Sequence, residues 1–142
     1  YCFVTEQEFN TLIKENSFFE YANIFNNRYG TLKKTVEELL SQGKDVLFDI
    51  DWQGTQQLKK IKNLSLITFF ILPPNLDDLR KRLKNRGTDS EKRIKKRMDR
   101  LELELKEKDW FDYHVINNQI EHASNELIKI IEKQTEGVLY ES

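Results

Sequence analysis

Two aspartates stand at the end of an apolar stretch, in a pattern that suits nucleotide binding. The stretch "DVLFDIDWQG" covers residues 45–54 and predicts a buried strand that ends at Asp51. Because side chains alternate along a strand, Asp49 and Asp51 would project from one face, with alpha carbons about 6.6 Å apart. Two carboxylates at a strand end suit a magnesium-bound nucleotide or the amino groups of a base. The alternative is that Asp51 only caps a helix beginning near Gln53, which leaves Asp49 unexplained.

A basic segment indicates an anionic ligand or nucleic acid. Residues 80–100 contain eleven Lys or Arg and three Asp or Glu, a local balance of +8, although the whole chain has a net charge of -1. Arg82 and Arg86 are four apart and share a face of one predicted helix, as Arg93 and Arg97 do on the next. RNA binding is disfavoured because acids follow the segment closely and no aromatic residues are interleaved with the bases.

A third stretch, "FFEYANIFNNRYGT", combines apolar flanks with hydrogen-bonding groups. It covers residues 18–31 and contains Glu20, Tyr21, Tyr29 and Thr31. Taken singly, these are ordinary residues of strands beside a turn. Their number on one short segment raises the alternative that they face a ligand.

The elements that must position these residues alternate along the chain. Thr5 to Glu8 has capping-box spacing, Asn75 can cap a helix, and Gly43 and Gly87 end helical patterns. In chain order we predict a helix after Thr5, a strand at 18–22, a turn at 26–27, a helix around Val36 to Leu40, strands in "DVLFDID" and "LSLITFFIL", helices at about 75–86 and 91–108, a strand in "YHVIN", and a last helix. Strands alternating with helices predict a doubly wound α/β core, with residues 1–42 forming a separate mixed lobe.

Composition limits the function classes. Within 142 residues no apolar run approaches membrane-spanning length, which predicts a soluble protein. The single cysteine, Cys2, excludes an intramolecular disulfide and agrees with a reducing cytoplasm, and with His114 and His122 it makes no zinc site. The chain begins at Tyr1 and its only methionine is Met98, so we expect that an N-terminal piece is missing.

Together the motifs resemble one family. The blocks "YCFV", "FFEYANIFNNRYGT", "DVLFDIDWQG", "FILPP", "LKNRGTDS" and "IKKRM", in this order and spacing, closely resemble the guanylate kinases. The resemblance implies a P-loop NTPase-like parallel sheet core flanked by helices, a small mixed α+β GMP-binding lobe and a helical lid. It places the lobe at 1–42, the core at 43–142 and the lid at about 84–100. It also implies transfer of the γ-phosphate of ATP to GMP, with ATP as co-substrate together with Mg²⁺.

The resemblance assigns GMP-binding roles to five residues. Glu20 matches the glutamate that accepts hydrogen bonds from N1–H and the 2-amino group of guanine, a donor pair that adenine lacks. Thr31 matches a hydroxyl that meets the guanine carbonyl oxygen, and Asp51 an aspartate near the same base edge. Tyr1 and Tyr29 match tyrosines whose hydroxyls reach the GMP phosphate.

Five further residues are assigned to ATP and to catalysis. Arg82, Arg86 and Arg97 match arginines of the lid that contact phosphates during transfer. Asp49 lies near the magnesium region, and Asn117 matches a position near adenine.

Two features depart from the family pattern. The motif G-x-x-x-x-G-K-[S/T] does not occur in the 142 residues, so we expect this chain alone to be inactive. Asn26 stands where the family usually has glycine, although Asn also tolerates a left-handed backbone. The alternative function is a non-catalytic guanylate-kinase-like module that binds a phosphopeptide, but the retained arginines and guanine-facing residues argue against it. The sequence predicts no nucleic-acid or membrane partner and leaves the oligomeric state open.

Overall fold

The structure is a computed structural model that describes residues 2–87 and 90–138. These residues form two compact units that divide after Leu66. The elements are α1 (Glu6–Lys14), β1 (Phe18–Ile24), β2 (Asn27–Leu32), α2 (Lys33–Ser41), α3 (Trp52–Leu58), β3 (Phe69–Leu72), α4 (Leu76–Asn85), α5 (Glu91–Glu104), a 3₁₀ helix (Leu105–Trp110), β4 (Tyr113–Ile116) and α6 (Ile120–Val138). Within the described ranges, no helix has both the length and the hydropathy of a membrane span.

The first helix of unit one is fixed by its sequence signals. Thr5 Oγ1 accepts from the Glu8 N–H at 3.2 Å, and the Glu8 carboxylate accepts from the Thr5 N–H at 2.6 Å, so the predicted capping box is confirmed. The helix buries Phe9 against Phe18, with ring centroids 4.6 Å apart. Arg28 of β2 lies 4.4 Å above the Phe9 ring and thereby holds α1 against the hairpin.

An antiparallel hairpin of β1 and β2 forms the centre of unit one. Its register pairs Glu20 with Thr31 after an irregularity between Phe18 and Glu20. The loop consists of Phe25 and Asn26, one residue earlier than predicted. The positive φ, 47°, is at Phe25 and not at Asn26, so the tolerance of Asn for a left-handed backbone is not what forms this turn.

The predicted buried strand at 45–51 is wrong in this structure. Among the described residues no strand pairs with this segment, and Leu47 is 91% exposed. Val46, Phe48 and Ile50 are half-buried, and Phe48 stacks on Phe19 with centroids 5.9 Å apart. The segment therefore packs with one face only. A strand that is buried on both faces needs paired strands beside it and further elements covering both faces of the sheet.

The compact unit extends past the lobe boundary that we predicted after residue 42. The reason is that α3 packs closely against β1. Compactness alone does not decide which residues move together in function, so the lobe boundary stays a prediction.

Unit two contains the parallel pairing typical of an α/β fold. Strands β3 and β4 pair in parallel from Phe69 and Tyr113 to Leu72 and Ile116. The connection between them passes through α4 and α5, as a parallel crossover requires. Val115 of β4 is fully buried and belongs to the core.

The first of the two basic helices, α4, begins and ends at its predicted signals. Asn75 Oδ1 accepts from the Asp78 N–H at 2.8 Å and caps α4, and Gly87 follows its end with φ of 67°. Lys84 of α4 pairs with Glu91 of α5 at 3.0 Å. The second helix stops at residue 104, earlier than the predicted 108, because the chain tightens there into the 3₁₀ helix.

Candidate functional site

A buried carboxylate lies in the middle of β1. Phe18, Glu20 and Ala22 form the buried face of the strand, and Glu20 is only 4% exposed. A carboxylate is rarely buried unless it has a partner, because burial removes its hydration. Glu20 therefore marks a site at which the strand departs from ordinary core packing.

Two predicted site residues share the face of Glu20. Thr31 lies directly opposite on β2, and its hydroxyl donates to Glu20 Oε1 at 2.6 Å. Tyr29 is two residues earlier on β2, so it projects from the same face, and it is 42% exposed. The hairpin register thus brings together Glu20, Thr31 and Tyr29.

The pKa of Glu20 is raised above its ordinary value. Burial of the carboxylate is the main cause, and the negative charge of Asp51 adds to it. The hydrogen bonds from the Thr31 hydroxyl and main chain act in the opposite direction. A ligand that donates further hydrogen bonds to this carboxylate would favour its ionised form.

Gly54 of α3 makes room for the carboxylate. A Cβ at this position would lie 2.5 Å from Glu20 Oε2 and 3.1 Å from Ile50 Cδ1. A larger side chain would have to displace the Glu20 carboxylate, so glycine lets the helix lie close to the strand with the carboxylate in this position. This role was not predicted from the sequence, although Gly54 is the last residue of the "DVLFDIDWQG" block.

Asp51 caps α3, as the alternative reading of the sequence proposed. Its Oδ1 accepts from the N–H groups of Gln53 and Gly54 at 3.0 and 3.2 Å, and its Oδ2 accepts from Gln53 Nε2 at 2.7 Å. The cap does not exclude a role beside Glu20, since its charge acts on that carboxylate. Asp49 is exposed. Tyr1, also predicted to bind GMP, lies outside the described residues.

In unit two the structure brings together two predicted residues, Arg82 and Asn117. Arg82 of α4 donates to the carbonyl oxygens of Asn117 at 2.8 Å and Asn118 at 3.1 Å. The Asn117 N–H donates to the Leu72 carbonyl at 2.7 Å and extends the pairing of β3 with β4. Arg82 thus ties α4 to the segment that follows β4.

The other two predicted arginines lie on different helices. Arg86 is exposed at the end of α4, and Arg97 is half-buried on α5. An open cavity lies between these helices and was not predicted from the sequence. Charged and apolar side chains line it together: Arg80, Glu91, Lys92, Ile94, Lys95 and Met98.

No cage of protein ligands for a metal ion is present in the part of the chain that the structure describes. Groups of three or more His, Cys, Asp or Glu side chains do not come together there. A Mg²⁺ ion is commonly held by one or two carboxylates together with phosphate oxygens and water, and the exposed carboxylate of Asp49 fits such a part.

Comparison with known proteins identifies the family. A family model described as guanylate kinase matches residues 1–134. The chain belongs to the guanylate kinase family. It is 48% identical over 131 residues to the guanylate kinase of Rickettsia prowazekii (strain Madrid E), covering 92% of this chain and 66% of that relative. It is 46% identical to the guanylate kinase of Novosphingobium aromaticivorans, covering 92% of this chain and 59% of that relative.

A solved structure agrees with the family assignment. The crystal structure of guanylate kinase from Anaplasma phagocytophilum superposes with a TM-score of 0.78 at 27% identity, covering 94% of this chain and 64% of that one. The family and the α/β fold class predicted from sequence are thereby confirmed. The chain spans less than two thirds of the length of the guanylate kinases just described. The comparisons give no support to the phosphopeptide-binding alternative.

Proposed function

We propose that the whole protein containing this chain is a guanylate kinase, which transfers the γ-phosphate of ATP to GMP and yields ADP and GDP. The observation that carries this proposal is the buried Glu20 carboxylate, which shares a strand face with Thr31 and Tyr29. Family membership supports it independently.

Guanine recognition follows from the donors and acceptors on this face. Guanine presents N1–H and a 2-amino group side by side, and a carboxylate accepts both in a charge-assisted contact. Glu20 is the group for this contact, and Asp51 lies near the same edge. Adenine offers no such pair of donors, so AMP would leave the buried carboxylate unsatisfied.

Thr31 acts as a partner that changes on binding. A hydroxyl has one proton to donate, and in the structure that proton is given to Glu20 Oε1 at 2.6 Å. When GMP binds, the guanine donors satisfy Glu20, and the Thr31 hydroxyl rotates toward the guanine carbonyl oxygen. The hydrogen bond of the free protein therefore keeps the buried carboxylate satisfied until the base arrives.

The phosphates are bound by phenols and guanidinium groups. Tyr1 and Tyr29 contact the GMP phosphate, while Arg82, Arg86 and Arg97 stabilise the negative charge that spreads over the oxygens during in-line transfer. A guanidinium has five N–H donors, and Arg82 uses two nitrogens on carbonyl oxygens. Its remaining donors are those available to a phosphate.

ATP is the co-substrate, and Mg²⁺ accompanies it. Asp49 would hold the ion together with phosphate oxygens, and the ion neutralises phosphate charge when it is bound. Asn117 lies beside adenine; its N–H donates to the Leu72 carbonyl and its own carbonyl accepts from Arg82, so its side chain is the part that meets the base. The P-loop motif that binds ATP phosphates does not occur in these 142 residues, so the transfer is proposed for the whole protein and not for this chain alone.

We also propose how the protein is organised and where it acts. The GMP lobe is residues 1–42 and the lid is about 84–100, and their closure excludes water before transfer. The cytoplasm is the proposed location, in agreement with a chain that has a single cysteine. Its partners are the small molecules GMP and ATP.

The test is a phosphotransfer assay on the whole protein. ADP formation is measured with Mg²⁺ and ATP and with GMP, AMP or UMP as acceptor. We expect rapid ADP formation with GMP and very little with AMP or UMP. Equal rates with GMP and AMP, or ADP formation independent of any acceptor, would contradict the proposal.

A further inference from the structure

Two glutamine side chains of α3 occupy the edge of β1 that faces away from β2. The Tyr21 N–H donates to Gln57 Oε1 at 3.1 Å, and the Tyr21 carbonyl accepts from Gln57 Nε2 at 2.6 Å. One helical turn earlier, Gln53 Nε2 donates to the Asn23 carbonyl at 3.2 Å. The two side chains thus take the place of a neighbouring strand.

The spacing of helix and strand makes this substitution possible. Residues 21 and 23 repeat along a strand at about 6.6 Å, since each residue advances about 3.3 Å. Residues 53 and 57 repeat along a helix at about 6 Å, since each residue advances 1.5 Å. Side chains four apart on α3 therefore reach main-chain groups two apart on β1.

The same contacts hold the parts of the guanine site together. Tyr21 directly follows Glu20 on β1, so the Gln57 bonds fix the main chain beside the buried carboxylate. Gln53 Nε2 also donates to Asp51 Oδ2 at 2.7 Å, and so joins the edge of β1 to the helix cap. Gln57 Nε2 further donates to the main-chain carbonyl of Gln53 at 3.1 Å, which holds the Gln57 side chain against the preceding turn of α3.

We propose that Gln57 and Gln53 are positioning residues for guanine selectivity, which hold the Glu20 carboxylate at the spacing from Asp51 that matches the donor edge of the base. This inference rests on the proposed function. The competing explanation is that the two glutamines only stabilise the packing of α3 on β1.

Comparison of two ligands distinguishes positioning from packing. IMP is GMP without the 2-amino group, so it gives Glu20 one donor in place of two. A carboxylate that is displaced loses the second contact of GMP, whereas IMP has no such contact to lose. Partial unfolding, in contrast, weakens both ligands by the same factor because only the folded population binds.

The experiment measures dissociation constants of GMP and IMP for the whole protein by calorimetry, with IMP read by competition against GMP. In Gln57→Leu we expect the preference for GMP over IMP to fall at least about tenfold, because GMP loses one hydrogen bond to a charged group. The matched control is Gln7→Leu on the exposed face of α1, which should keep the wild-type preference. A parallel weakening of both ligands in Gln57→Leu, or no weakening of either, would overturn the proposal.

A second variant covers failure of the first to fold. Gln53→Leu keeps both Gln57 bonds to Tyr21 but removes the link from Asn23 to Asp51. We expect it to fold and to lower the preference for GMP at least threefold, and an unchanged preference would overturn the proposal. If the wild-type protein itself binds GMP no better than IMP, the proposed function fails, and this outcome is separate from the comparison of variants.

Discussion

Replacement of Glu20 by Gln removes the charge of the buried carboxylate and leaves its shape almost unchanged. In the structure Oε1 already accepts from Thr31 at 2.6 Å, and Oε2 lies against Gly54. An amide that keeps its oxygen toward Thr31 puts its NH₂ group in the place of Oε2. One guanine donor then faces a donor, and the other meets an uncharged oxygen.

The expected loss follows from these two contacts. A hydrogen bond to a charged group is worth roughly 1.5–3 kcal/mol, and one between neutral groups about 1 kcal/mol. Losing the first contact and weakening the second costs about 2–5 kcal/mol, which corresponds to a decrease in kcat/KM for GMP of roughly 30- to 5,000-fold. Activity with AMP should stay the same or rise, because adenine never used the carboxylate.

Stability should move in the opposite direction from activity. Burial raises the pKa of Glu20, so the folded state favours the protonated carboxyl group over the ionised one. The stability that the protonated group contributes is lost as the pH rises through that raised pKa. At neutral pH, Glu20→Gln should therefore melt no lower than the wild type. This separates loss of recognition from unfolding.

The assay measures kcat/KM for GMP and AMP, together with thermal melting, for the whole protein. Glu37→Gln, the same chemical change at an exposed position of α2, is the matched control and should behave as the wild type. A Glu20→Gln variant that keeps kcat/KM for GMP within about threefold of wild type would show that the carboxylate does not recognise guanine.

Three further predictions follow from the geometry. Gly54→Ala should weaken GMP binding at least tenfold in calorimetry, because its Cβ would displace the Glu20 carboxylate; unchanged affinity would count against that contact. GMP affinity should fall as the pH drops through the raised pKa of Glu20, since only the ionised form accepts both guanine donors. An affinity that does not change with pH down to the ordinary glutamate pKa of 4.5 would contradict this prediction. Asp112→Ala should lower the free energy of unfolding, measured by urea denaturation, by about 1–3 kcal/mol, because the Asp112 carboxylate accepts from the N–H and hydroxyl of buried Thr68. A smaller decrease would show that these two hydrogen bonds contribute little to stability.

Signals that act within a few residues were predicted well. The capping box at Thr5, the cap at Asn75 and the stop at Gly87 each depend on groups three or four residues away, so the sequence contains all that is needed. The parallel pairing in unit two was expected from apolar runs that alternate with helical patterns.

Features that depend on distant parts of the chain were missed. An apolar run cannot reveal whether strands will lie beside it, and this is why the segment around Leu47 was wrongly predicted as buried. The edge-closing role of Gln57 arises from a residue 36 positions away. Sequence alone could identify Gln57 only as a polar residue on a short helix.

The candidate site was predicted in part. The hairpin register places Glu20, Thr31 and Tyr29 on one face, whereas the sequence predicted only the strand at 18–22 and the turn after it. Their roles toward GMP, and those of the arginines, stay predictions. The capping bonds of Asp51 and the carbonyl contacts of Arg82 add local functions that a family pattern does not reveal.

The most direct measurement is a crystal structure of the whole protein with GMP bound. We expect both oxygens of Glu20 to lie within about 3 Å of guanine N1 and the 2-amino nitrogen, with the Thr31 hydroxyl turned from Glu20 to the guanine carbonyl. A structure in which guanine lies away from β1, with the hydroxyl still bound to the carboxylate, would contradict it.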